Sequence, residues 1–153
     1  MIHQPSSIDD IIDAMSAREP PPRVLLAEDD SQLREKLSAA LRADGYDVIE
    51  AGSGVQLIRA LDLFGADILP LEMIITDARM PGFSGLEVLE YLRYTGWNIP
   101  VIVITAPGDV RTHTEASDLD ATMVLEVPFE MEELRTALVV TVPPPTLRRM
   151  DAA

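Results

Sequence analysis

Between residues 22 and 142 the chain alternates short apolar runs with segments of helical period, five times over. Few folds accept that order. Apolar runs of strand length bounded by turn formers read as buried strands, and a helix after each one returns the chain to the same end of a sheet, so the strands lie parallel with helices on both faces. The strand candidates are RVLLA (23–27), YDVIEA (46–51), EMIIT (72–76), IPVIVIT (99–105) and TMVLEV (122–127). The helix candidates start with 31–44, where Leu33, Leu37, Ala40 and Leu41 share a face and Gly45 provides a stop. They continue with 55–64 (Leu57, Ile58, Leu61, Phe64), 85–95 (Leu86, Leu89, Leu92), a more polar 109–118, and 130–140.

Proline triplets at 20–22 and 143–145 bracket this region and favour extended connectors. The expected organisation is an N-terminal extension over 1–21, a folded domain over 22–142 and a proline-rich tail over 143–153. Within the extension, Ile8, Ile11, Ile12 and Met15 fall on one helical face behind a Ser7 to Asp10 capping pattern. A helix of about three turns is marginal alone in water, so it is expected to dock on the domain, on a partner or on a second copy as a homodimer.

Composition excludes several function classes. Twelve basic side chains against 26 acidic ones leave a formal charge of −14, which repels phosphate backbones and anionic lipid, so direct nucleic-acid and membrane partners are not expected. The absence of cysteine removes disulfides, thiolate metal sites and cysteine nucleophiles. No apolar run reaches the length of a membrane span, and the N-terminus lacks the basic start of a signal peptide. A cytoplasmic location is the expectation.

In an open α/β sheet, ligands bind beyond the carboxyl ends of the strands, where strand order reverses. The residues just after the strands are Glu28, Asp29 and Asp30; Asp77; Thr105 and Ala106; and Val127, Pro128 and Phe129. Carboxylates converging from two strand ends are costly unless a cation lies between them, and oxygen ligands of this kind suit a hard ion such as Mg²⁺. The plain alternative for Glu-Asp-Asp-Ser is helix capping. Both hold if Asp30 or Ser31 caps while Glu28 and Asp29 face the pocket.

VLLAEDD, IITDARMPGFSGLEVL, IVITA and VPF, in this order over about 23–141, resemble the response-regulator receiver domain of two-component signalling. The resemblance implies a flavodoxin-like (βα)5 doubly wound sheet in strand order 2-1-3-4-5. It implies Asp77 as the acceptor of a phosphoryl group from a histidine kinase or phosphotransfer protein. Glu28 and Asp29, with the backbone carbonyl of Arg79, would hold Mg²⁺ beside it, and the Thr105 hydroxyl would bind a phosphoryl oxygen. A cis Val127–Pro128 peptide is implied as well. Gly82 and Gly85 suit the tight path from pocket to helix.

Two positions depart from the family pattern. Val127 stands where a lysine normally contacts the phosphoryl group, and valine supplies neither charge nor hydrogen bond. Val124 stands where an aromatic ring normally reports phosphorylation. Glu126 is acidic and points to the opposite face, so it is no substitute. Arg79 could swing across the pocket mouth and clamp phosphoryl oxygens; Arg111 and His113 are weaker candidates, and neither His3 nor His113 has a companion that suggests a metal or catalytic site.

The expected function is therefore a single-domain response regulator, with output by protein contact near the helix over 109–118 and the strand over 122–127, and no turnover chemistry beyond phosphotransfer and self-dephosphorylation. The alternative is a receiver-shaped binding module that works without phosphorylation. A hydrolase of the haloacid-dehalogenase kind would place a second acid two residues past Asp77, where Arg79 stands.

Overall fold

A computed structural model describes residues 6–16, 20–64 and 70–144. A short helix α1 (Ile8–Ser16) precedes β1 (Arg23–Ala27), α2 (Ser31–Ala43), β2 (Asp47–Ala51), α3 (Gly54–Phe64), β3 (Leu71–Asp77), α4 (Gly85–Tyr94), β4 (Val101–Thr105), α5 (Val110–Asp118), β5 (Met123–Glu126) and α6 (Met131–Thr141). The five strands form one parallel sheet in the order β2-β1-β3-β4-β5. Fold class and strand order are those expected from the sequence.

Burial explains why the strands read as they do. β1, β3 and β4 lie inside the sheet and are covered on both faces, so Val24 to Ala27, Met73 to Ile75 and Val101 to Ile104 are all buried. The edge strands β2 and β5 mix buried and open positions. Alternate residues feed two separate cores. Leu25, Ile74 and Val103 pack with Leu57, Leu89 and Ala116 beneath α3, α4 and α5, while Leu26, Ile75 and Ile104 pack with Leu37, Leu41, Leu134 and Leu138 beneath α2 and α6. The Tyr46 hydroxyl donates to the Val142 carbonyl at 2.7 Å and pins the end of α6 to the start of β2.

Helix ends follow the capping chemistry in the sequence. Asp30 caps α2 by accepting from the amides of Gln32 and Leu33, Ser84 caps α4 and Asp109 caps α5. The polar α5 needs its cap most, because it buries only Thr112 and Ala116. At α1, Asp10 accepts from the Ser6 hydroxyl at 2.8 Å and the Asp10 amide donates to Ser7 at 3.2 Å. Ile8, Ile11 and Ile12 nonetheless stay exposed, so among the described residues this face is not covered by the domain, as in a frayed arm or one that docks on a partner. The tail beyond Pro144 and the Met15 side chain lie outside the described residues. Among the described residues, no helix is long and apolar enough to cross a membrane.

The loop from β3 to α4 turns at Gly82, whose φ of +86° lies in the left-handed region. At Gly85 the constraint is space: a β-carbon there would overlap the Asp77 carbonyl oxygen. Gly85→Ala is thus expected to push α4 off the end of β3, costing about 1–3 kcal/mol as an overpacked site. Chemical denaturation checks the loss.

Candidate functional site

Strand register builds the site. Ala27 pairs with Thr76, which brings Glu28 level with Asp77, and Asp77 pairs with Ile104, one residue before Thr105. Thr105 in turn pairs with Glu126, so Val127 follows at the same sheet edge. The order in which strands are added reverses between β1 and β3, and an open cavity of about 430 Å³ lies at the strand ends, lined by Glu28, Asp77, Arg79, Thr105, Asp109 and Val127 among others.

Carboxylate oxygens of Glu28, Asp29 and Asp77 lie within 4.8 Å of one another. Glu28 and Asp77 are buried and Asp29 is exposed at the mouth. The Asp29 amide donates to Asp77 Oδ2 at 3.4 Å, and the Asp30 amide donates to Glu28 Oε1 at 3.1 Å. The Arg34 guanidinium is turned away, bonding the Glu28 carbonyl at 2.8 Å and facing Glu50. Among the described residues, no cationic side chain is paired with the three carboxylates.

The electrostatic consequence falls on Asp77. Burial, followed by the adjacent Glu28 carboxyl, pushes its pKa up to about 10. Glu28 Oε2 is buried without a hydrogen-bond donor among the described residues, so the neighbouring carboxyl satisfies it only by holding a proton. Either a proton or a cation must occupy the space between these oxygens. Three carboxylates offering hard oxygen, one buried and orphaned, fit a divalent cation of the Mg²⁺ or Ca²⁺ kind.

Thr105 and Arg79 line the same cavity but turn elsewhere. The Thr105 hydroxyl donates to Asp109 Oδ2 at 3.2 Å. The Arg79 guanidinium, almost fully exposed, sits 3.6 Å from the same oxygen. The sequence offered Arg79 as a possible clamp on phosphoryl oxygens; with Asp77 unmodified, the guanidinium faces Asp109. The reason is charge. Hydrogen bonds from Thr112, then from Thr105, with help from Arg79 itself, hold Asp109 below the usual carboxylate range, whereas Asp77 keeps its proton. Asp109 is the site residue that sequence reading missed. Its signal was the Asp-to-Thr112 spacing at the start of α5, which looks like an ordinary cap.

The altered positions lie where the sequence placed them. Val127 lines the cavity, and its peptide bond to Pro128 is cis. Val124 is half-buried and packs on the core beneath α5. Glu126 points away from the acids and meets His113 at 2.9 Å, and Arg111 pairs with Glu115 on the α5 surface. Neither His113 nor Arg111 reaches the acidic cluster. Beside the cavity, Leu33, Lys36, Pro107, Pro128, Phe129 and Met131 line an apolar groove.

Known proteins share this fold. The family model described as the response regulator receiver domain matches residues 24–139. The response regulator MprA of Mycobacterium avium (strain 104) is 38% identical over 112 residues, covering 73% of this chain and 47% of that protein. The chain therefore spans about half the length of the curated relatives it matches. Among solved structures, the non-phosphorylated HemR receiver domain of Leptospira biflexa aligns with a TM-score of 0.67 and 26% identity, covering 78% of this chain and 93% of that one. A receiver domain from Clostridium thermocellum, 24% identical, shares the fold with a TM-score of 0.71 over 79% of this chain and 94% of that one. With the family model covering the whole sheet and the acidic cluster at its switch point, the chain belongs to the response-regulator receiver family.

Proposed function

We propose that this receiver accepts a phosphoryl group on Asp77 from a phosphohistidine of a histidine kinase or phosphotransfer protein and signals through protein contact. The observation that carries this reading is the placement of Asp77: the carboxylate lies at the sheet's switch point, beside two further acids and across from the Thr105 hydroxyl. In the reaction, an Asp77 oxygen attacks phosphorus as the phosphorus–nitrogen bond of the donor breaks, and the departing imidazole takes up a proton. Phosphoryl transfer passes through a loose transition state, so positioning and charge neutralisation carry most of the catalysis.

Glu28, Asp29 and Asp77, with the Arg79 carbonyl that the family pattern implies, would hold Mg²⁺. That ion would neutralise the transferred oxygens and replace the proton on Asp77. Thr105 is placed to donate to a phosphoryl oxygen. The acidic exterior of the chain suits a protein partner rather than nucleic acid, and the face of α5 and β5 around Val124 and His113 is the surface we assign to output.

Val127 favours a second reading. With no ammonium at the pocket, the domain would bind its target without phosphorylation, and the acidic cluster would be a remnant that costs stability.

Incubation with acetyl phosphate and Mg²⁺ is expected to add one phosphoryl group to the intact protein and none to Asp77→Asn, as read by mass spectrometry. Absence of uptake in folded protein selects the second reading. Val127→Lys restores a charged donor, which is worth roughly a tenfold gain in uptake rate or phosphoryl lifetime; lost uptake in a folded Val127→Lys protein would show a positive role for the valine.

The raised pKa of Asp77 gives a separate check. A carboxyl whose folded pKa exceeds its ordinary value of 3.8 favours folding fully below that value and loses the contribution as pH rises towards about 10. Without divalent cations, stability of the natural protein should therefore decline from pH 5 to pH 8, and Asp77→Asn should flatten that slope. At pH 8 the variant should melt higher by on the order of 5 °C, with the gap narrowing as Mg²⁺ is added.

A further inference from the structure

Asp109 holds two oxygens in three directions. Oδ1 accepts the Thr112 amide at 3.1 Å, and Oδ2 accepts the Thr112 hydroxyl at 2.6 Å and the Thr105 hydroxyl at 3.2 Å. The Arg79 guanidinium lies 3.6 Å from Oδ2. One carboxylate therefore joins the end of β4, the loop after β3 and the first turn of α5. It also lines the cavity that contains Asp77.

We propose that Asp109 is a positioning residue that keeps Thr105 and Arg79 off Asp77 until a phosphoryl group arrives, and that their departure from Asp109 makes the first turn of α5 the reporter of phosphorylation. This rests on the phosphoacceptor reading of Asp77. A threonine hydroxyl has one proton, so Thr105 serves either Asp109 or a phosphoryl oxygen, never both. A phosphoryl group brings close to two negative charges into the cavity. It competes for the Thr105 proton and the Arg79 guanidinium, and it repels the Asp109 carboxylate in the same space. The tie between β4 and α5 then breaks, while the two Thr112 bonds preserve the helix cap. Val124 carries no ring or hydroxyl through which a β5 relay could run, whereas Val110, exposed in the first turn of α5, lies directly on the element that is released.

Asp109→Asn can keep the amide part of the cap while removing the oxygen that accepts from the Thr105 and Thr112 hydroxyls. Asparagine caps helices as well as aspartate does, and its one carbonyl oxygen can keep the Thr112 amide. It lacks the second acceptor oxygen for Thr105 and the charge for Arg79. With acetyl phosphate and Mg²⁺, the variant is expected to take up phosphoryl about five- to tenfold faster, the scale of one charge-assisted hydrogen bond. In amide NMR spectra, residues 110–112 of the natural protein should shift on phosphorylation, and those of Asp109→Asn should already sit near the phosphorylated positions. Uptake by the natural protein at the same rate as Asp109→Asn, with equal shifts at 110–112, overturns the role of Asp109 and leaves Asp77 as acceptor. Uptake by the variant alone supports it. No uptake by either folded protein removes the phosphoacceptor reading and this inference with it.

Discussion

Crowding of carboxyl groups at the ends of β1 and β3 is the constraint on which the rest of this molecule turns. Glu28 and Asp77 are buried side by side, and among the described residues no guanidinium or ammonium reaches between them. Folding brings them together because the register of β1 on β3 leaves no alternative, and the apolar faces of both strands are committed to cores on either side of the sheet. A proton held at Asp77 relieves the repulsion in the absence of a cation. The site is thus loaded by the fold itself: whatever displaces that proton gains the use of two ready carboxylates, and whatever adds negative charge must bring compensation.

Compensation is where this chain differs from the usual pattern of its family. Among the described residues that line the cavity, Arg79 is the one cation, and it is already engaged with Asp109. An exposed ion pair of this kind is weak, on the order of 1 kcal/mol or less, so it is easily exchanged for a better anion. The Thr105 bond to Asp109 is similarly exchangeable. Both donors are near the acceptor without being spent on it, a different arrangement from a lysine fixed permanently over the pocket.

The fold was legible because its physics is local and repetitive. Strands buried on both faces must be continuously apolar, and β1, β3 and β4 announce themselves that way; α2, α3 and α4 carry apolar stripes that fit one face of a sheet. α5 was harder, since VRTHTEASD has almost no stripe, and its cap at Asp109 is the stronger mark. The acids at the site were legible for a related reason, as strand-end residues in a topology that gathers strand ends. What the sequence could not show was the destination of long or shared side chains. Arg79 was read as a side chain able to swing over the pocket mouth, and its neighbour Asp109 became visible only with the tertiary structure. Asp109 itself was hidden behind a role it truly has, because a cap and a hub use the same carboxylate. The exposed face of α1 is a comparable case: amphipathicity demands a partner surface and says nothing about where that surface is.

Loss of the lysine and loss of the ring are best understood as one change rather than two. A fixed ammonium at position 127 would hold a phosphoryl group against β5, and an aromatic side chain at 124 on that same strand would then sense it. With valine at both positions β5 has no polar means of contacting the pocket; Val124 serves the core and Glu126 serves His113. Besides the acids at the ends of β1 and β3, the polar side chains that line the cavity are Arg79 after β3, and Thr105 and Asp109 at and after the end of β4. Under the proposed phosphoacceptor reading of Asp77, the polar contacts at the cavity favour α5 over β5 as the first element to respond. The preference follows from which atoms can donate or accept at the cavity wall, and it holds whichever protein meets that helix.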